Sequence, residues 1–146
     1  MKFSRHQDSG FIGHPHRPYL TCWIALDDMT EANGTVYLLP YSRSGTRGVV
    51  KHARDEESND LVGYFGDDPG DPVIVPAGSI ACFSTTLFHR SGPNTTGRVR
   101  RVHAARRGGQ ARQLTELLDP TLAGSLTASL RVAASQRTFS RSGHRS

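Results

Sequence analysis

The sequence has no apolar run long enough to cross a membrane. Its longest apolar runs, such as residues 73–75 and 80–83, fall far short of the roughly 20 residues that a membrane-spanning helix needs. The segment 1–5 lacks the apolar stretch of a signal peptide. These absences argue against membrane and secreted classes, and we expect one soluble cytoplasmic domain with a single hydrophobic core.

Cysteine is scarce. The two cysteines, Cys22 and Cys82, stand in apolar segments, and no CxxC motif occurs. This pattern argues against a disulfide framework or a zinc knuckle and predicts buried free thiols.

The excess of positive charge is confined to one end of the chain. The sequence has 18 Lys and Arg against 13 Asp and Glu, and seven of the basic but only two of the acidic residues follow residue 102. The first 102 residues are therefore neutral. The basic end has one aromatic residue, Phe139, whereas proteins that bind single-stranded nucleic acid use several stacking aromatics. The charge pattern therefore gives little support for a nucleic-acid partner, and we expect none.

Short β-preferring segments alternate with turn residues through the first hundred positions, which predicts a mainly β fold of the barrel or sandwich kind. Asn33-Gly34 and Pro40 bound one such segment. Strands are predicted at residues 19–26, 35–39, 46–52, 72–75, 79–84, 86–89 and 100–104, of which 46–52 is the weakest. The polar, acidic stretch 53–71 is predicted to be a long surface loop.

The pattern changes after about residue 105, where Arg, Ser, Ala, Gly, Thr and Leu dominate. We therefore divide the chain into a β domain at 1–105 and a basic, low-complexity tail at 106–146. One interpretation is an irregular or weakly helical extension, interrupted at Pro120. The other is a shift of the reading frame near Val102, because a GC-rich gene translated out of frame yields such a composition. The sequence leaves both open.

Three residues form a candidate metal site. His6 and Asp8 are separated by one residue, so a strand would project both from one face. His89 follows 83 residues after His6, near the end of the strand series. Two histidines and one carboxylate are the ligand set of non-haem Fe(II) oxygenases. The chain has seven histidines, however, so the spacing alone is also compatible with isolated surface side chains.

Two further residues suit a keto acid. Arg100 lies 11 residues after His89, and its guanidinium can bind a carboxylate with two hydrogen bonds. Ser91 would share a strand face with His89. Alternatively, Arg98, Arg100 and Arg101 form a solvated basic strand edge.

The sequence from His6 to about Val102 resembles the phytanoyl-CoA dioxygenase family. Four blocks carry the resemblance: His6-Gln7-Asp8, the segment TCWIAL at 21–26, the segment NGTVYLLPYS at 33–42, and HRSGPN at 89–94 followed by Arg100.

The resemblance implies a double-stranded β-helix, which is a jelly-roll, cupin-like fold. It implies Fe(II) bound by His6, Asp8 and His89, with O₂ as co-substrate and 2-oxoglutarate held by Arg100 and Ser91. Trp23 stands where the family has an aromatic residue near the co-substrate, although it is equally well explained as a core residue. The implied activity is hydroxylation of a small organic or acyl substrate. Asp8 favours hydroxylation over halogenation, since related halogenases have a small residue there.

The sequence departs from the family at both ends. His6 is preceded by only five residues, whereas family members have a substantial N-terminal region before this motif. We therefore expect an incomplete β-helix that binds Fe(II) poorly and turns over slowly when expressed alone. Two other functions stay open: a cupin-like metal-binding module without oxygenase activity, and an interaction protein that uses the basic tail.

Overall fold

The residues that the structure describes form two three-stranded antiparallel sheets and one two-stranded sheet. The structure is a computed structural model and describes residues 4–56 and 58–107. Its strands there are β1 (Leu20–Ala25), β2 (Val36–Leu39), β3 (Ala53–Arg54), β4 (Leu61–Val62), β5 (Asp71–Pro72), β6 (Ile80–Ser84), β7 (Phe88–Ser91) and β8 (Val102–Arg107). A 3₁₀ turn spans Asp8–Phe11 and a short helix, α1, spans Tyr41–Ser44. The strand orders are β6-β1-β8 and β5-β2-β7, with a separate β3-β4 hairpin.

Strand β1 is the centre of its sheet and supplies much of the core. It pairs with β6 on one side and with β8 on the other. Trp23 and Ala25 are buried and pack with Phe83 of β6 and Val36 of β2. Because Val36 belongs to the second sheet, the two sheets face each other across one core. The predicted mainly β fold is confirmed.

The turn before β2 requires a glycine. Gly34 has a φ of +80°, and a Cβ at this position would lie 2.6 Å from the carbonyl oxygen of Gly92. An L side chain would therefore be strained and would also clash with backbone. The close approach fixes the start of β2 against the end of β7, and Pro40 follows the last residue of β2.

The weakest strand prediction is wrong. Residues 46–52 form no strand, and two of their groups bind the N-terminal segment instead. The amide of Val50 donates to Gln7 Oε1, at 2.9 Å, and the ring of His52 lies against Gly10 and Gly63. A Cβ at these glycines would lie 2.3 Å and 2.5 Å from the ring, so both must be glycine for the ring to fit.

Other element bounds differ from those predicted. The predicted loop at 53–71 contains the β3-β4 hairpin, and the predicted strand at 72–75 contributes only Pro72 to β5 and a single bridge from Val75 to Met29. Strand β8 continues to Arg107 because it pairs along the whole of β1. The predicted tail at 106–146 lies outside the described residues from 108 onward. No helix within residues 4–56 and 58–107 has the length and apolar character to span a membrane.

The two cysteines lie opposite each other on β1 and β6. Both thiols are free, as predicted, but only Cys22 is buried and Cys82 is exposed. Their Sγ atoms are 3.5 Å apart, a proximity that the sequence did not predict. Although Cys82 is exposed as a residue, partial desolvation of its sulfur, with a smaller contribution from Cys22, raises the pKa of this thiol to about 11.

Candidate metal centre

The N-terminal segment brings His6 beside His89 through the backbone. The amide of His6 donates to the carbonyl of His89, at 3.0 Å, and the amide of His89 donates to the carbonyl of His6, at 2.9 Å. This reciprocal pair is an isolated antiparallel bridge beside β7. Directly opposed residues in such a pair have neighbouring side chains, and the two ring centroids lie 4.4 Å apart.

Asp8 completes the cluster from a different element than expected. It opens the 3₁₀ turn rather than continuing a strand, so the predicted common strand face with His6 is wrong in its geometry. Its Oδ1 nevertheless lies 3.9 Å from His6 Nε2 and 3.5 Å from His89 Nε2. One ligand atom from each residue lies within 4.8 Å of those of the other two. The structure therefore brings the three predicted ligands together.

Backbone carbonyls fix the tautomer of both imidazoles. His6 Nδ1 lies 2.8 Å from the carbonyl of Ser4, and His89 Nδ1 lies 3.0 Å from the carbonyl of Leu87. A carbonyl only accepts, so each Nδ1 carries the proton and each Nε2 has a free lone pair in the neutral ring. Burial, and then the neighbouring His89, lowers the pKa of His6, which favours this neutral form.

Three electron-pair donors thus converge: two imidazole Nε2 atoms and one carboxylate oxygen. Without a proton or a cation between them, their partial negative charges repel each other in a buried place. A divalent transition metal satisfies all three at once, and the set suits Fe(II). The residues present therefore fit the metal that the sequence implies.

The second carboxylate oxygen of Asp8 is held by β1. Thr21 Oγ1 donates a hydrogen bond of 2.5 Å to Asp8 Oδ2, and both residues are buried. Phe83 lies opposite Thr21 across the β1-β6 ladder, and its ring centroid is 4.8 Å from that of His89. On the inner face of this sheet, Phe83 therefore gives the cluster an apolar contact, and Thr21 gives the Asp8 carboxylate a polar one.

Gln7, between the two ligands His6 and Asp8, is fully buried and hydrogen-bonded throughout. Its Nε2 donates to the carbonyls of Gly48, at 2.8 Å, and Thr86, at 2.7 Å. Its Oε1 accepts from the amide of Val50. The backbone N–H of Gln7 donates to His52 Nε2, at 2.9 Å. These four bonds fix the backbone that joins the two ligands.

The sequence did not identify Thr21, Gln7 or His52 as parts of this site. No local motif marks them, because each acts through a contact with a distant segment.

Phe11 is a further residue of the site that the sequence analysis did not identify. Its ring packs edge-on against that of His6, with centroids 5.2 Å apart, and it is 55 % exposed. A large apolar side chain thus borders the solvent-facing side of the cluster.

The predicted co-substrate residues lie on three different segments. Ser91 is on β7, two residues from His89, and pairs with Val36. Trp23 belongs to the core cluster with Val36, which supports its interpretation as a core residue. Arg100 is half-buried, and its buried Nη1 has no hydrogen-bond partner. Burial lowers the pKa of this guanidinium.

A cavity of about 550 Å³ adjoins Arg100 but is separate from the triad. It is lined by the segment after β7, namely Gly92, Asn94, Thr96, Gly97, Arg98, Val99 and Arg100. None of the three candidate metal ligands lines it. Arg100 therefore lines this open pocket, and no hydrogen bond joins it to Ser91 within the described residues.

Two facing antiparallel sheets with a His, Asp and His cluster inside define the double-stranded β-helix class of metal-binding folds. The chain belongs to the phytanoyl-CoA dioxygenase family, whose model matches residues 2–102.

Two relatives and one solved structure show the extent of the similarity. The chain is 31 % identical over 98 residues to a Stutzerimonas stutzeri protein described as "Probable alpha-ketoglutarate-dependent hypophosphite dioxygenase", covering 61 % of this chain and 33 % of that protein. It is 29 % identical over 107 residues to phytanoyl-CoA dioxygenase domain-containing protein 1 of Danio rerio, covering 67 % of this chain and 36 % of that protein. The chain thus matches about a third of the length of these relatives.

EvdO2 from Micromonospora carbonacea var. aurantiaca, solved in complex with 2-oxoglutarate, superposes with a TM-score of 0.54. The identity is 23 %, and the match covers 77 % of this chain and 51 % of that one. This likeness supports the fold.

Proposed function

We propose that this chain is the metal- and co-substrate-binding part of an Fe(II)- and 2-oxoglutarate-dependent dioxygenase that hydroxylates a small organic or acyl substrate. The observation that carries the proposal is the convergence of His6 Nε2, Asp8 Oδ1 and His89 Nε2, with both imidazoles fixed in the tautomer that leaves Nε2 free. The bacterial relative, a probable alpha-ketoglutarate-dependent dioxygenase, and EvdO2, which was solved with 2-oxoglutarate, agree with this chemistry.

The residues have distinct roles in the proposal. His6, Asp8 and His89 would hold Fe(II), and this ligand set suits a metal that also binds a keto acid and O₂. When bound, Fe(II) supplies the redox chemistry by which O₂ and 2-oxoglutarate yield succinate, CO₂ and a hydroxylated C–H bond. Phe83 excludes water on the inner side, and Phe11 offers an apolar surface to a substrate on the outer side.

Arg100 is the proposed partner of the distal carboxylate of 2-oxoglutarate, together with Ser91. Support comes from the Nη1 atom of Arg100, which is buried without a hydrogen-bond partner, an arrangement that costs free energy unless a ligand supplies an acceptor. A carboxylate would supply two acceptors in the plane of the guanidinium.

Anaerobic titration tests the proposal. Fe(II) and 2-oxoglutarate at one site give a metal-to-ligand charge-transfer absorption, which neither gives alone. We expect this band for the wild type and its loss in His6→Ala and His89→Ala. His14→Ala is the matched control, because His14 is exposed and lies outside the cluster. A wild type without the band, or a His6→Ala variant that keeps it, contradicts the proposal.

Succinate release under aerobic conditions tests turnover separately. With Fe(II), ascorbate and 2-oxoglutarate, we expect slow release that depends on His6. Fe(II) binding without any effect of 2-oxoglutarate would instead favour a metal-binding module without oxygenase activity. Salt-sensitive nucleic-acid binding that is lost on deletion of residues 108–146, which leaves β8 in place, would favour an interaction protein.

A further inference from the structure

Thr21 is a side chain of β1 that contacts a candidate metal ligand directly. Its Oγ1 donates to Asp8 Oδ2 at 2.5 Å. Thr21 is 5 % exposed and Asp8 is 8 % exposed, so water has little access to replace this bond. The acceptor is Oδ2, whereas the oxygen beside the two imidazole Nε2 atoms is Oδ1. The two carboxylate oxygens of Asp8 therefore have different neighbours.

The position of this hydroxyl is fixed by the fold. Thr21 lies on the central strand of its sheet and is paired with Phe83 on one side and with Arg106 on the other. A strand with neighbours on both edges cannot shift without breaking two ladders. The β-branched side chain of threonine also has few rotamers. The hydroxyl is thus a rigid donor aimed at one oxygen of a metal ligand.

We propose that Thr21 is a positioning residue that keeps Asp8 monodentate by binding the oxygen that does not face the metal. This inference rests on the proposed function. A six-coordinate cation bound by three protein atoms has three remaining positions, enough for a bidentate keto acid and O₂. If Oδ2 also bound the cation, two positions would remain. Loss of the hydroxyl should therefore weaken co-substrate binding more than metal binding.

The test compares Thr21→Val, Thr21→Ser and Thr35→Val. Valine removes the donor and keeps the shape, whereas serine keeps the donor. Thr35→Val is the matched control, because Thr35 is fully buried and its Oγ1 donates to the carbonyl of Val73, at 2.6 Å, away from the cluster. Each variant is first checked for folding by thermal unfolding and circular dichroism.

Two binding constants are measured anaerobically, Fe(II) alone and 2-oxoglutarate at saturating Fe(II). We expect Thr21→Val to raise the dissociation constant of 2-oxoglutarate roughly tenfold to a hundredfold, the range of one hydrogen bond to a charged group, and to change that of Fe(II) about threefold or less. Thr21→Ser and Thr35→Val should bind both as the wild type does. Equal 2-oxoglutarate binding by Thr21→Val and wild type overturns the proposal, as does a similar loss in Thr35→Val.

X-ray absorption of the Fe(II) form separates this proposal from the proposed function. We expect one carboxylate oxygen at the metal in the wild type and in Thr21→Ser, and two in Thr21→Val. If the wild type binds Fe(II) but not 2-oxoglutarate, the proposed function fails, and the change in carboxylate coordination still decides the role of Thr21. If Thr21→Val does not fold, Thr21→Ala provides the same comparison. A wild type that binds no Fe(II) overturns both.

Discussion

Replacing Gln7 with leucine should destabilise the metal-free protein strongly. Leucine is apolar and of similar size, so the change removes three side-chain hydrogen bonds without opening a large cavity. The buried carbonyl of Thr86 then loses the hydrogen bond that it accepts from Gln7 Nε2, at 2.7 Å. The carbonyl of Gly48 and the amide of Val50 also lose partners, but they lie in less buried surroundings that water can reach.

The size of the effect follows from these differences. An orphaned buried group costs about 1–3 kcal/mol, and each of the two groups that water can reach costs about 0.5–1 kcal/mol. The sum is roughly 2–5 kcal/mol, a large part of the about 5–15 kcal/mol that stabilises a typical domain. Since Gln7 joins His6 to Asp8, the variant should also lose Fe(II) affinity.

Urea unfolding of metal-free wild type and Gln7→Leu, followed by fluorescence of Trp23, measures the free energy of unfolding. Ser58→Ala serves as the control, because Ser58 is exposed and its hydroxyl contacts only the nearby Asp55, to which it donates, and the amide of Asp60, from which it accepts. A loss below about 0.5 kcal/mol in Gln7→Leu, the size of an ordinary surface substitution, would refute the view that this side chain holds the backbone of the site.

Three further predictions concern other parts of the structure. Arg100→Lys should raise the dissociation constant of 2-oxoglutarate at least about tenfold in anaerobic titrations, because an ammonium lacks the planar fork; unchanged affinity would contradict the role of Arg100. Gly34→Ala should lower the free energy of unfolding by about 1–3 kcal/mol in urea, because its φ of +80° and the nearby Gly92 carbonyl exclude a Cβ; wild-type stability would contradict this geometry. Iodoacetamide should modify Cys82 slowly at pH 8, with a rate that rises as the pH approaches its pKa of about 11, because partial desolvation of the sulfur and the neighbouring Cys22 disfavour the thiolate. Mass spectrometry after timed quenching measures this rate, and labelling as fast as that of free cysteine would refute it.

The strands that the sequence predicted best are those whose local pattern agrees with their burial. β1 is rich in apolar and β-preferring residues, and four of its six residues are buried. β2 begins after Asn33-Gly34 and ends before Pro40. The prediction at 46–52 failed because the backbone of this segment pairs with no strand, and the amide of Val50 donates to Gln7 Oε1 instead. β8 continues through Arg106 and Arg107 because β1 offers it a full edge. A chain segment read alone cannot show that a neighbouring strand needs a partner.

The three candidate ligands were recognisable from the sequence, but their surroundings were not. His6 and His89 are 83 residues apart, and only the β-bridge between them explains why their rings meet. The hydroxyl of Thr21 reaches Asp8 from a strand that the sequence marked only as apolar and β-preferring. Such contacts depend on tertiary packing, which leaves no short motif.

A crystal structure with Mn(II) in place of Fe(II) tests the central claim most directly, because anomalous scattering locates the ion. We expect one strong anomalous peak bonded to His6 Nε2, Asp8 Oδ1 and His89 Nε2 at roughly 2.0–2.3 Å, close to the usual metal–ligand lengths. A peak elsewhere, or one that contacts only one or two of these atoms, would contradict the account.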